Sequence, residues 1–182
     1  MRPINESVMH TLINEGMITE AEKPLRNRVE VIATNDKSQV YGGVYQDGSW
    51  GTFGGGTDGE AGLDAAQREF EEETGHSITG VKKMKTKPVE VIWKHEAQTD
   101  KDKARREQYR GTRTWFFTGT FKKDDGKKAE GDDGKSPLKK VGWFDIDTAI
   151  SLIEDNLVDE SENKAQQKRR AEALKELKDG SA

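Results

Sequence analysis

The chain contains no cysteine. That excludes disulfides, thiolate metal sites and a cysteine nucleophile. It has no long apolar run, so no segment reads as a membrane span, and its first residues lack the apolar region of a signal peptide. A soluble cytoplasmic protein with no membrane partner is the expectation. Hydrophobic residues are scarce at 31% against 35% charged. The core must therefore be compact, the surface strongly charged, and part of the chain loop or tail. No excess of one charge is present either. Thirty basic residues against 34 acidic leave a net charge of -4, which argues against a general nucleic-acid binder while leaving room for local basic patches. His10, His76 and His95 show no ligand spacing. No internal repeat is evident. At 182 residues the chain has the size of one ordinary domain with a single core.

Strand and turn patterns alternate along the middle of the chain. Residues 5 to 22 read as a helix closed by Pro24. Arg28 to Thr34, Val40 to Tyr45 and Ser49 to Phe53 read as strands separated by Asn35-Asp36-Lys37 and Asp47-Gly48 turns. Leu63 to Thr74 reads as a helix with Leu63, Ala66 and Phe70 as its apolar stripe. Strands follow at Ile78 to Lys83 and Pro88 to Trp93, then a charged stretch from Lys94 to Arg110, then the strongest strand, Thr112 to Phe121. Lys122 to Pro137 reads as a loop rich in Asp, Gly and Lys. A short strand at Val141 to Phe144, a helix at Asp147 to Asp155 and a polar helix over residues 160 to 178 complete the order. The pattern predicts an α+β domain.

The densest information lies in Gly54 to His76, GGGTDGEAGLDAAQREFEEETGH. A glycine-rich loop runs into a helix on which Glu69, Glu72 and Glu73 stand at i, i+3 and i+4, sharing one face. Like charges at such spacing repel by a few tenths of a kcal/mol, roughly, in an isolated helix. A chain that gathers them there is expected to hold something positive, and hard oxygen donors suit Mg²⁺ or Mn²⁺. An isolated E-x-x-E-E is more often a solvated face. Here Gly54, Glu60, Arg68 and Gly75 also fall at fixed offsets from it.

The spacing G-x5-E-x7-R-E-hydrophobic-x-E-E-x-G resembles the motif of the Nudix hydrolases, with every charged and glycine position present. Two positions depart from it: His76 stands where an aliphatic residue is usual, and Phe53-Gly54-Gly55-Gly56 replaces a Pro-Gly-Gly lead-in. The resemblance implies a mixed β-sheet between helical layers over residues 28–157, flanked by an N-terminal helical extension (1–27) and a C-terminal helical tail (158–182). It implies that Glu69, Glu72 and Glu73 hold the metal together with a backbone carbonyl of Gly54 or Gly55. Glu72 is then the candidate base. Glu69 and Arg68 complete the catalytic set, the arginine orienting carboxylates, with Glu60 and Gly75 in support. The implied reaction is metal-dependent hydrolysis of a diphosphate linkage in a nucleoside diphosphate derivative. Nucleoside triphosphates, nucleotide sugars such as ADP-ribose, dinucleoside polyphosphates and capped RNA ends are the candidates. The competing expectation is a non-catalytic Nudix-like module that binds a nucleotide or RNA.

Three further groups of residues have two readings each. Lys101, Lys103, Arg105, Arg106, Arg110 and Arg113 either grip substrate phosphates or an RNA backbone, or form a solvated hairpin or insertion. Trp93, Tyr109 and Trp115 either stack on a base or pack in the core. Glu130, beside Asp132 and Asp133, is either an additional metal ligand or part of a solvated loop.

Overall fold

The computed structural model describes residues 22–94, 96–97, 99–121, 138–157 and 164–180. The expected N-terminal helix and the loop carrying Glu130 lie outside them. Alternation along Leu25–Thr34 (β1) sends Val29, Val31 and Ala33 to one face and Glu30 and Ile32 to the other, as the twofold side-chain period of a strand requires. β1 runs parallel to Gly111–Phe121 (β6), from Leu25 opposite Gly111 to Thr34 opposite Thr120. Around this pair Gln39–Tyr45 (β2), Trp50–Gly51 (β3), Ile78–Lys83 (β4), Val89–Ile92 (β5) and Leu138–Asp145 (β7) complete a seven-stranded mixed sheet. Its main order is β3-β2-β1-β6-β4, with β5 on β6 and β7 on β2.

Two strands have divided edges. β6 pairs with β5 along its first residues and with β4 along its last. β1 pairs with β2 only at Ala33 and Thr34. Below that point its edge is taken by Phe53 and Gly56, bridged to Val31 and Arg28.

Helix Gly62–Thr74 (α1) covers one face, where Ala65, Ala66 and Phe70 pack with Val29, Val31, Phe53 and Phe117. Ile146–Glu154 (α3) and Lys164–Lys178 (α4) cover the other, where Ile150, Ile153 and Leu174 meet Ile32, Trp50 and Phe116. This is the expected sheet between helical layers. Among the described residues no helix is long and apolar enough to cross a membrane. Two details differ from expectation. Leu63 is 47% exposed, because the buried ridge of α1 runs through Ala66, Phe70 and Thr74 at intervals of four. Within the charged stretch lies a helix, Asp100–Gln108 (α2), with no buried residue. It is held by a Thr99 cap that accepts from the Asp102 amide and by an Asp102–Arg105 pair one turn apart.

α4 is fastened by charge as well as by Ala171, Ala173 and Leu174. Arg170 donates to both oxygens of Glu30, at 2.9 and 2.7 Å, and to the Trp50 carbonyl at 3.3 Å. Gln166 donates to the same carboxylate. Burial alone would depress the Arg170 pKa, but Glu30 outweighs it and the group is held above its usual range. Near the other end of α4, Glu176 accepts from the Lys85 and Thr86 amides and the Thr86 hydroxyl.

Arg170→Met strands a buried carboxylate and is expected to cost about 3–5 kcal/mol, most of it recovered in the Glu30→Gln/Arg170→Met double variant. Urea denaturation of the three proteins checks this. Glu176 yields a pH signature. Desolvation works to raise its pKa, but the Thr86 and Lys85 hydrogen bonds prevail and lower it. Its contribution is therefore complete above the unfolded carboxylate pKa and lost as pH falls through the lower folded value. Glu176→Gln should cost about 1–2 kcal/mol at pH 7. That gap should close on acidification below roughly pH 4.

Candidate active site

The free half of the β1 edge holds the loop that leads into α1. Val31 N donates to Phe53 O at 2.8 Å, Val29 N to Gly55 O at 2.9 Å, and Thr57 N to Asn27 O at 3.1 Å. The loop is thereby a short extra strand whose two sides meet different chemistry.

On the α1 side are the carboxylates. Glu73 accepts from Gly54 N at 2.7 Å. Glu69 lies against Gly55, so closely that a Cβ there would sit 2.0 Å from its Oε2. Arg68 donates to the Gly56 carbonyl at 3.0 Å, to Glu60 at 3.0 Å, to Glu69 at 2.7 Å and to Glu72 at 3.0 Å. Hydrogen bonds to Glu60 and Glu69 push its pKa above the already high guanidinium value. The repulsion expected among the glutamates is thus offset by one arginine. Gly75 ends α1 in the left-handed conformation and returns its amide to Glu71 O at 2.8 Å.

The donor set suits a hard divalent ion: carboxylate oxygens on one helix face beside loop carbonyls. Among the described residues no three such side chains converge at ligating distance. The reason is visible: Arg68 holds Glu69 and Glu72 while the Gly54 amide holds Glu73. The carboxylates of Glu69, Glu72 and Glu73, gathered beside the carbonyls of the glycine loop, would fit such an ion.

On the opposite side of the loop are arginines. Arg28 donates to Gly54 O at 3.3 Å, and a Cβ on Gly56 would sit 2.0 Å from Arg26 Nη2. Asp58 links the two sides, accepting from Arg26 at 3.2 Å and lying 4.0 Å from Arg68. Arg26 and Arg28 open into a cleft of about 250 Å³ lined also by Trp93, Arg105, Arg106 and Gln166. Burial first, then repulsion from Arg26 and Arg28, lowers the Arg105 pKa. Arg106 stacks over Trp93, 5.3 Å from the ring centroid.

Of the residues singled out from the sequence, Arg105, Arg106 and Trp93 line this cleft. Arg113 turns instead to Glu90, at 2.7 Å, and Arg110 ties the start of β1 to β5 through its backbone. Trp115 lies on the α1 side of the sheet under the Lys83 ammonium, away from the cleft. Sequence reasoning missed Arg26 and Arg28. Their signal was present, since two arginines at period two before an apolar run must share one face of the strand.

Residues 24–166 match the NUDIX domain family. The chain belongs to the Nudix hydrolase family. The match begins four residues before the expected start and ends inside α4. No curated protein matches the chain significantly. Solved structures to which this chain is similar include a MutT protein from Bacillus halodurans, 21% identical, covering 70% of this chain and 73% of its own, with a TM-score of 0.46. A NUDIX hydrolase from Nitrosomonas europaea is 17% identical over 82% of this chain and 91% of its own, with a TM-score of 0.48. The E. coli dihydroneopterin triphosphate pyrophosphohydrolase is 16% identical over 81% and 97%, also at 0.48.

The loop glycines separate stability from site geometry. Gly54 has a φ of 154°, and a Cβ there would meet Val29 O at 2.1 Å and Glu30 Cα at 2.9 Å, both rigid backbone. Gly54→Ala is expected to cost about 2–3 kcal/mol. The nearest atoms to a Cβ in Gly55→Ala all belong to the movable end of Glu69, so it should cost about 1 kcal/mol or less. It should nonetheless weaken Mn²⁺ binding. Denaturation midpoints and metal titration of the two variants check the contrast.

Proposed function

We propose that this chain is a divalent-metal-dependent hydrolase that cleaves the diphosphate linkage of a nucleoside diphosphate derivative. One observation carries the reading: the carboxylates of α1 and an arginine-lined cleft approach the same three-glycine loop from opposite sides. A diphosphate repels an incoming water or hydroxide through its clustered charge. Bound Mg²⁺ or Mn²⁺ would supply charge neutralisation and a water of lowered pKa. Glu69, Glu72 and Glu73 would hold it, with a carbonyl of Gly54 or Gly55. Glu72 is the most exposed of the three glutamates hydrogen-bonded to Arg68, which suits a group that takes a proton from water. Arg68 and Glu60 hold the carboxylate face in order. Arg26, Arg28, Arg105 and Arg106 bind phosphate oxygens, and charge-assisted guanidinium hydrogen bonds suit them to it. The half-buried Trp93 offers a flat apolar surface beside them. Retention of the whole carboxylate set favours a hydrolase over a non-catalytic module.

Glu72→Gln and Glu73→Gln should each lose at least about a hundredfold in kcat at saturating Mg²⁺, equivalent to roughly 2.7 kcal/mol or more of transition-state stabilisation. Their denaturation midpoints without metal should shift little, because Glu72 is a surface partner of Arg68 and Glu73 gives up one amide hydrogen bond. Phosphate release from a panel of diphosphate compounds is the assay. Near-native turnover in either variant would remove that residue from the mechanism.

A further inference from the structure

The cleft holds more positive charge than cleavage of one diphosphate requires, and the surplus lies away from the carboxylate face. Four guanidinium groups line it. Arg26 is paired with Asp58, a residue 64% exposed, and Arg105 with Asp102 at 3.7 Å. Arg28 and Arg106 have no carboxylate partner among the described residues. Arg28 Nε is buried without a hydrogen-bond partner, and the Arg106 guanidinium rests on Trp93. α2 places Arg105 and Arg106 over the cleft without a single buried side chain of its own. Its carboxyl end is nevertheless fastened: Lys23 donates to the Arg106 carbonyl at 2.8 Å, and Tyr109 N closes on Arg105 O. An exposed helix held this way is a mount for its arginines.

The linkage being cut must lie by the glutamates, where bound cations neutralise it. Arginines across the loop from them therefore meet a different part of the ligand. We propose that the cleft binds a further phosphate group beyond the scissile linkage, so that the substrate is a nucleotide with three or more phosphates rather than a nucleotide sugar. Arg28 and Arg106 are the residues that set this preference. The inference rests on the hydrolase reading above but has its own readout, because guanidinium–phosphate binding needs no turnover.

Calorimetry without metal would compare ATP, ADP-ribose and inorganic tripolyphosphate on the native protein, Arg28→Gln and Arg106→Gln. ATP and tripolyphosphate should bind at least tenfold more tightly than ADP-ribose, and each substitution should erase most of that difference. Arg106→Gln lies on a helix with no buried residue, so folding does not confound it. With Mg²⁺, kcat/KM should favour ATP or a dinucleoside tetraphosphate over ADP-ribose by a similar factor, with the loss in the variants falling mainly on KM. Equal or tighter binding of ADP-ribose, or a triphosphate preference that survives both substitutions, overturns the inference whatever is hydrolysed. Arginine-dependent triphosphate binding with no turnover of any diphosphate compound would support the inference and sink the hydrolase reading instead.

Discussion

Everything at the site depends on how the backbone of β1 divides its hydrogen bonds. One edge is committed to β6 over its whole length. The other is shared, with β2 taking Ala33 and Thr34 and the glycine loop taking the amides of Val29 and Val31. A buried strand cannot leave those amides unpaired without losing about 1–3 kcal/mol for each. The loop therefore behaves as a strand there, and its register on β1 is set by backbone pairing. Residues with side chains could pair equally well, but they could not admit the Val29 carbonyl on one side and the Glu69 carboxylate on the other. Glycine at these positions lets a ligand-bearing helix and a strand approach the same segment.

Charge is then sorted by the two sides of that segment. Toward α1, Arg68 satisfies three carboxylates and a carbonyl at once, and the helix tolerates its acidic face. Toward the cleft the balance is reversed, with arginines outnumbering the acids that answer them. Among the described residues, Asp58 is the one carboxylate that reaches both an Arg on β1 and Arg68. On the proposed reading, a phosphate ligand and a divalent ion would each complete the side that lacks their sign.

Much of this was legible in the sequence because it is local. The alternation of Arg28 to Thr34, the offsets from Gly54 to Gly75 and the apolar faces of the late helices each depend on residues a turn or a pleat apart. The α+β pattern and the joint position of Glu69, Glu72 and Glu73 on one helix face followed from them, and the sheet between helical layers followed from the family resemblance that those offsets carry. What escaped was set by distant contacts or by hydrogen bonds with no hydrophobic period. α2 carries its stabilisation in a Thr99 cap and charge pairs, which periodicity does not report. Arg113 read as part of a basic cluster, yet it is turned away by a cross-strand glutamate, Glu90, directly opposite it in the β5–β6 ladder. Arg170 sits in a helix whose composition is mostly polar, and its meeting with Glu30, 140 residues earlier, makes it a core residue.

That last contact explains why α4 matters to the site at all. One face of β1 reads Arg26, Arg28, Glu30, Ile32 in order, and the structure assigns each a neighbour on the way from solvent to core. Arg26 and Arg28 border the cleft, Glu30 takes the Arg170 guanidinium, and Ile32 enters the apolar cluster with Leu174. Gln166, one turn before Arg170, both binds Glu30 and lines the cleft wall. Without α4 the Glu30 carboxylate would be the nearest uncompensated charge on the same strand face as Arg28 and would be free to pair with it. By holding Glu30 through Arg170, the helix withholds that carboxylate from the arginines of β1. A helix whose sequence reads as a polar tail thus has a direct electrostatic part in the charge balance of the cleft.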